Sequence, residues 1–161
     1  MIEKMSWTEF LSRAKPDVVS PPRLLALDPG DTTGWALFEY GSMVQASVVL
    51  GPDVSTRVQH IHEVIHEHKP THIVCEEYRI YASHVDQHIY SSIPTLKLIG
   101  AIELSALLLD IPAVIKMQSA GQGKSFVKDN KLKMWGLYQF NNAHMNDAIR
   151  HGCHYLLFNH M

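Results

Sequence analysis

The sequence predicts an α/β domain in which a mixed five-stranded sheet, a three-strand antiparallel meander extended by parallel strands, is flanked by helices. Three observations lead there. Short apolar runs of strand length alternate with longer stretches that carry a helical period. The first three runs are separated only by turn sequences, Pro29-Gly30-Asp31 and Gly41-Ser42, so they pair antiparallel. The last two are joined by a helix-length segment, so they pair in parallel through a right-handed crossover.

In chain order, residues 6–14 form a short amphipathic helix, with Ser6 as N-cap and Glu9 three residues on, the spacing of a capping box. Ser20-Pro21-Pro22 breaks the chain before strand one, residues 23–28. Strand two covers 34–40 and strand three 43–50, with Gly41-Ser42 as the hairpin turn. A helix over 54–68 places Val54, Val58, Ile61, Val64 and Ile65 at helical spacing and closes at Pro70. Strand four is 72–76. Residues 78–92 show no clean period and read as a functional loop. A second helix covers 94–109, strand five 112–116, a loop-like or partly helical stretch 117–131, and a last helix 143–158.

Composition bounds the class. A chain of 161 residues is one domain's worth. It is 46% hydrophobic and 19% charged, ordinary for a globular protein, and its formal net charge of −2 gives no global basic field. Cys75 and Cys153 both sit in apolar contexts and read as reduced core residues. No stretch is long and apolar enough to span a membrane, and the N-terminus has no signal-peptide core. A cytoplasmic setting is expected.

Asp28 is the most informative residue. It ends the apolar run Leu24-Leu25-Ala26-Leu27 and precedes Pro29-Gly30. A carboxylate at the end of a buried strand is costly unless a cation, metal or phosphate compensates it. Glu76-Glu77 end a second apolar run, and Asp147 lies near the start of the last helix. Singly, each acid reads as a turn or cap residue. Together, arriving from two strand ends and one helix, they point to a metal-dependent site.

These segments carry a resemblance. Leu27-Asp28-Pro29-Gly30 with Thr33-Gly34-Trp35-Ala36, then Val74-Cys75-Glu76, then Val114-Ile115-Lys116, then His144-Met145-Asn146-Asp147-Ala148-Ile149-Arg150-His151 resemble, in order, the motifs of RuvC-like Holliday junction resolvases, and among them the phage-borne branch. The resemblance covers roughly residues 23–158 and implies an RNase H-like fold. It makes residues 23–161 the nuclease domain and residues 1–22 an N-terminal extension, in a bacterial or phage-infected host cytoplasm. It implies phosphodiester hydrolysis with two Mg²⁺ ions, Mn²⁺ being an alternative. Asp28 would bridge the two ions, Glu76 would hold one and Asp147 the other. His144, three residues before Asp147 and so on the same helix face, would ligate a metal or position the attacking water; many relatives carry an acid there and some a histidine. Glu77 competes with Glu76, but adjacent strand residues point to opposite faces, and the motif favours Glu76.

Branched DNA is the implied substrate, and two segments are suited to it. Tyr78-Arg79-Ile80-Tyr81 follows Glu76, and Tyr78 or Tyr81 can stack on bases exposed at a branch point beside Arg79. Lys116, Lys124, Lys128, Lys131 and Lys133 face only Asp129 as an acid, a cluster able to neutralise phosphates. Lys116 stands out at the end of an apolar strand. Gly121-Gln122-Gly123-Lys124-Ser125 lacks the first glycine of a Walker loop and is dismissed as one. The 11 histidines include the pairs His62/His66 and His84/His88, read as surface residues, and His151, four residues after Asp147 and within reach of the metal centre. The apolar residues of the second helix, from Ile93 to Leu109, cover more than one stripe. A homodimer would cover the surplus and match the two-fold symmetry of a four-way junction.

Two other classes share features with these segments. The actin and sugar-kinase superfamily shares the Asp-x-Gly-x-Thr pattern of Asp28-Pro29-Gly30-Asp31-Thr32, but clasps its nucleotide between two such domains. A non-catalytic DNA-structure binder on the same fold would not need all the acids.

Overall fold

The structure is a computed structural model that describes residues 5–79, 85–110 and 114–159; Tyr81 and His84 lie outside the described residues, as do the side chains of His88 and Ile93. Five strands form one sheet: β1 (Leu24–Asp28), β2 (Thr33–Glu39), β3 (Ser42–Val49), β4 (His72–Glu76) and β5 (Val114–Gln118). Their order is β3-β2-β1-β4-β5. β1 pairs antiparallel with β2, and β2 with β3, while β1–β4 and β4–β5 are parallel. The expected meander and parallel extension are both present.

Helices cover both faces, which is why all five residues of β1, the apolar run Leu24–Leu27 and then Asp28, are buried. On one face Leu24, Ala26, Ala36, Phe38 and Val74 pack with α1 (Trp7–Ala14) and α6 (Ala143–Phe158). On the other, Leu25, Leu27, Leu37, Ile73 and Cys75 pack with α2 (Val54–His68) and α3 (Val85–Leu108). The period-two alternation of strands therefore turns Asp28 and Glu76, in step with Leu24 and Val74, toward α6. Two short helices, α4 (Ala120–Phe126) and α5 (Asp129–Met134), complete the α6 side.

The approach of α6 to the sheet depends on Gly34 and Gly152. A Cβ on Gly34 would lie 2.1 Å from the His144 carbonyl oxygen, and one on Gly152 would lie 2.2 Å from the Phe38 ring. Asn142 caps α6 by accepting from Met145 N at 3.0 Å. Buried Asn146 clamps the preceding loop: Gln139 N donates to its Oδ1 and its Nδ2 donates to Gln139 O, both at 2.8 Å.

Three segments differ from expectation by more than one residue. The helix expected over 94–109 already runs from Val85 and carries Pro94 inside it. Proline is well suited to a first helical turn but does not always mark one; inside a helix it removes one hydrogen bond. Strand five, expected over 112–116, occupies 114–118, because polar Gln118 is buried and held by side chains of α6. The stretch 117–131 contains α4 and the start of α5; Gly121 and Gly123 hide the helical period of α4.

The surplus apolar face of the second helix is real. Leu98 and Ile102 are buried, while Leu104, Leu107 and Leu108 are 53%, 76% and 68% exposed. Trp7 and Leu11 of the N-terminal helix are buried, and Trp7 Nε1 donates to Gly41 O at 2.7 Å.

Candidate active site

The parallel strands β1 and β4 end side by side at Asp28 and Glu76, where their side chains turn toward α6. His144 and Asp147, three apart on that helix, face back toward them. His144 Nδ1 lies 3.1 Å from Asp28 Oδ2. Lys124, from α4, joins the remaining acids: its Nζ is 2.9 Å from Asp147 Oδ2 and 3.9 Å from Glu76 Oε2. One turn beyond Asp147, His151 Nε2 lies 2.8 Å from Glu76 Oε2. Its other nitrogen lies 2.5 Å from Gln118 Oε1, and Gln118 Nε2 reaches His154 Nδ1 at 3.0 Å.

The electrostatics are those of crowded carboxylates. Burial pushes the Asp28 carboxyl up to about 6, and the charges of Glu76 and Asp147 add to that, while His144 pulls the other way without cancelling it. Burial acts on Glu76 in the same sense, but the His151 hydrogen bond and charge, Lys124 and a hydrogen bond with Asp28 outweigh it and leave Glu76 below its ordinary value. Burial disfavours the Lys124 ammonium, yet Asp147 and Glu76 hold its pKa above the ordinary value. The ammonium thus occupies the place where the acids most need a positive charge.

The other candidate residues separate in space. Glu77 accepts from Arg79 Nε at 2.7 Å and lies apart from this cluster. Tyr78 and Arg79 follow β4 directly, Tyr78 half-buried and Arg79 exposed. Lys128 and Lys124 line one groove with Asp129 and Arg150. Lys131 and Lys133 lie over the rings of Phe126 and Tyr138, at 3.3 and 4.7 Å from their centroids.

Lys116 is a correction. With β5 shifted by two residues, Gln118 and not Lys116 ends the strand beside Glu76, and Lys116 is exposed opposite Val74. A buried amide, Gln118, continues the strand past its cation. The groups missed from sequence are Gln118, His154 and Arg150. Only Arg150 left a trace, as an arginine three residues after Asp147 on a common helix face.

The architecture has solved counterparts. Residues of this chain superpose on T. thermophilus RuvC in complex with a Holliday junction substrate with a TM-score of 0.64 at 18% identity, covering 84% of this chain and 93% of that one. The fold matches that of RuvC. A second Thermus thermophilus RuvC structure gives a TM-score of 0.59 at 19% identity, over 84% of this chain and 94% of RuvC. The yeast mitochondrial Holliday junction resolvase Ydc2 gives 0.59 at 14% identity, over 93% of this chain and 84% of its own. The RNase H-like arrangement of sheet and helices expected from the sequence is the one they share. No protein-family model and no curated protein sequence matches the chain.

Proposed function

We propose that this chain is a divalent-metal-dependent endonuclease that cleaves Holliday junctions or related branched DNA. The convergence of Asp28, Glu76, Asp147 and His144 where β1 and β4 end, with Lys124 between Asp147 and Glu76 and His144 on Asp28, carries the proposal. The likeness to RuvC seated on a junction supports it.

The donor set suits a hard divalent ion. Three carboxylates and an imidazole offer oxygen and nitrogen, and Mg²⁺ keeps several waters, so a few protein ligands suffice. Mn²⁺ accepts the imidazole more readily. Among the described residues no three acids, thiols or imidazoles are grouped closely enough to hold an ion as they stand; Lys124 bridges Asp147 and Glu76 where an ion would neutralise them. Asp28, Glu76, Asp147 and His144 are the residues that would hold two such ions. When bound, they supply Lewis-acid activation of water and neutralise the leaving oxygen.

The chain's own groups do the rest. Asp28 and Glu76 hold their positions from rigid strand ends. His144, with its side chain 48% exposed, is placed to ligate or to take a proton from incoming water. Lys124 lines one groove with Lys128, where both would meet phosphates. Tyr78 and Arg79 follow the end of β4, Tyr78 for stacking on an unpaired base and Arg79 for a phosphate; Tyr81 belongs to this proposal from sequence alone. The exposed leucines of α3 would pair with a second copy, placing two sites for paired cuts. Residues 23–161 form the nuclease domain and 1–22 an extension docked through Trp7. Among the described residues no helix is long and apolar enough to cross a membrane.

Labelled four-way, three-way and linear DNA, incubated with the protein with and without Mg²⁺, tests the proposal. Metal-dependent cleavage of the branched forms is expected. No metal-dependent cut in any of the three would end it.

A further inference from the structure

Arg150 lies outside the set of acids and imidazoles, yet it controls one of them. Its side chain is 13% exposed. Nε donates to Val127 O at 3.0 Å, Nη1 donates to Asp147 Oδ1 and Nη2 donates to Asp129 Oδ1. Every guanidinium nitrogen has a partner. The second oxygen of Asp147, Oδ2, is the one facing Lys124 and, beyond it, Glu76. Arg150 therefore occupies one carboxylate oxygen and leaves the other turned toward the convergence of acids.

We propose that Asp129 and Arg150 act as a positioning pair. They fix the Asp147 carboxylate so that Oδ2 is presented to a divalent ion, and they tie it to the α4–α5 connection flanked by Lys124 and Lys128. The inference rests on the metal-dependent reading above. The rigid planar guanidinium gives one N–H arm to each carboxylate, so the orientation that Asp129 and Val127 O impose on it passes to Asp147, as a freely rotating ammonium would not allow. Asp129 is half-exposed, and an exposed ion pair adds little stability by itself. Its position behind Arg150 matters more than its energy.

Two effects of Arg150 oppose each other, which makes the inference testable. As a cation it repels a divalent ion; as an anchor it holds a ligand ready. Removing it tightens metal binding if charge dominates and weakens it if positioning dominates.

The measurement is Mn²⁺ binding to the full chain without DNA, by titration calorimetry or by the spin resonance of free ion. Arg150→Gln should weaken binding about 10–100-fold, the range for groups that orient a metal ligand. Arg150→Lys, which keeps the charge but can serve only one carboxylate well, should fall between. Asp129→Asn touches none of the acids of the centre and should still weaken binding several-fold, at unchanged thermal stability. Unchanged binding in Asp129→Asn overturns the pair, as does tighter binding in Arg150→Gln. Should Arg150→Gln fail to fold, Asp129→Asn decides alone. A wild-type chain that binds no Mn²⁺ would instead remove the metal site, and the pair's role with it.

Discussion

Replacing Asp28 by asparagine should make the protein more stable and inactive at once, and the stability gain should depend on pH. The Asp28 carboxyl is raised from 3.8 to about 6 by burial and then by Glu76, with Asp147 adding to it and His144 opposing. Lys124 also faces this cluster. A carboxyl with a raised folded pKa binds its proton more tightly in the fold. Its contribution to stability is full below pH 3.8 and is lost as pH rises through about 6. At ~1.4 kcal/mol per pH unit, the ionised carboxylate costs the fold about 3 kcal/mol at pH 8 and about 1 kcal/mol at pH 4.5. Asparagine keeps the size and removes that cost. In a chain of this length the gain at pH 8 corresponds to about 6–12 °C in Tm. Denaturant unfolding of both proteins at the two pH values measures it. Mg²⁺ should narrow the gap at pH 8 by stabilising only the wild type. Cleavage should be nearly abolished in Asp28→Asn while junction binding persists, since phosphate contacts elsewhere supply affinity. An asparagine variant no more stable than wild type at pH 8, or equally more stable at both pH values, would refute the electrostatic account of this site.

Further outcomes follow from the same geometry. Glu76→Gln should be inactive and Glu77→Gln active, because the Glu77 carboxylate is held by Arg79 in an exposed pair, worth about 0–1 kcal/mol; an active Glu76→Gln with intact fold would move the metal ligand to Glu77. Gly34→Ala should destabilise by about 1–3 kcal/mol and slow cleavage by roughly 10²-fold, since its Cβ meets the backbone of His144 at 2.1 Å; wild-type kinetics would show that α6 yields without disturbing the site. The wild type should sediment as a dimer, and Leu104→Glu with Leu108→Glu should leave a folded monomer; a monomeric wild type at assay concentration would refute the α3 interface.

What was legible in the sequence was local. Asp28 and Glu76 each end an apolar run, so the strand itself announces its C-terminal acid. His144 and Asp147 lie three apart, so the helix period alone puts them on one face. The antiparallel meander follows from connections too short for anything else. What was not legible depended on partners far away in the chain. Strand β5 ends at Gln118 because His151 and His154, more than 30 residues later, satisfy its amide; a propensity reading has no access to that and stopped at Lys116. The lysine cluster looked uniform, yet the fold sends Lys124 between two acids and Lys131 and Lys133 onto aromatic rings. Arg150 was visible only as a helix-face neighbour of Asp147, and nothing local indicated Asp129 as its second partner.

These nonlocal contacts share one origin. His144, Asp147, Arg150, His151 and His154 all belong to α6, and they reach Asp28, Asp129, Glu76 and Gln118 on other elements. The site is therefore set less by five separate side chains than by one rigid placement of a 16-residue helix against the sheet. Gly34 and Gly152 fix how close that helix comes, at points opposite its N-terminus and its middle. A helix held at two such points does not tilt to rescue one ligand without displacing another. Substitutions on this seam should consequently disturb the Asp28–His144 and Glu76–His151 contacts together, whereas substitutions of the ligands themselves should act singly.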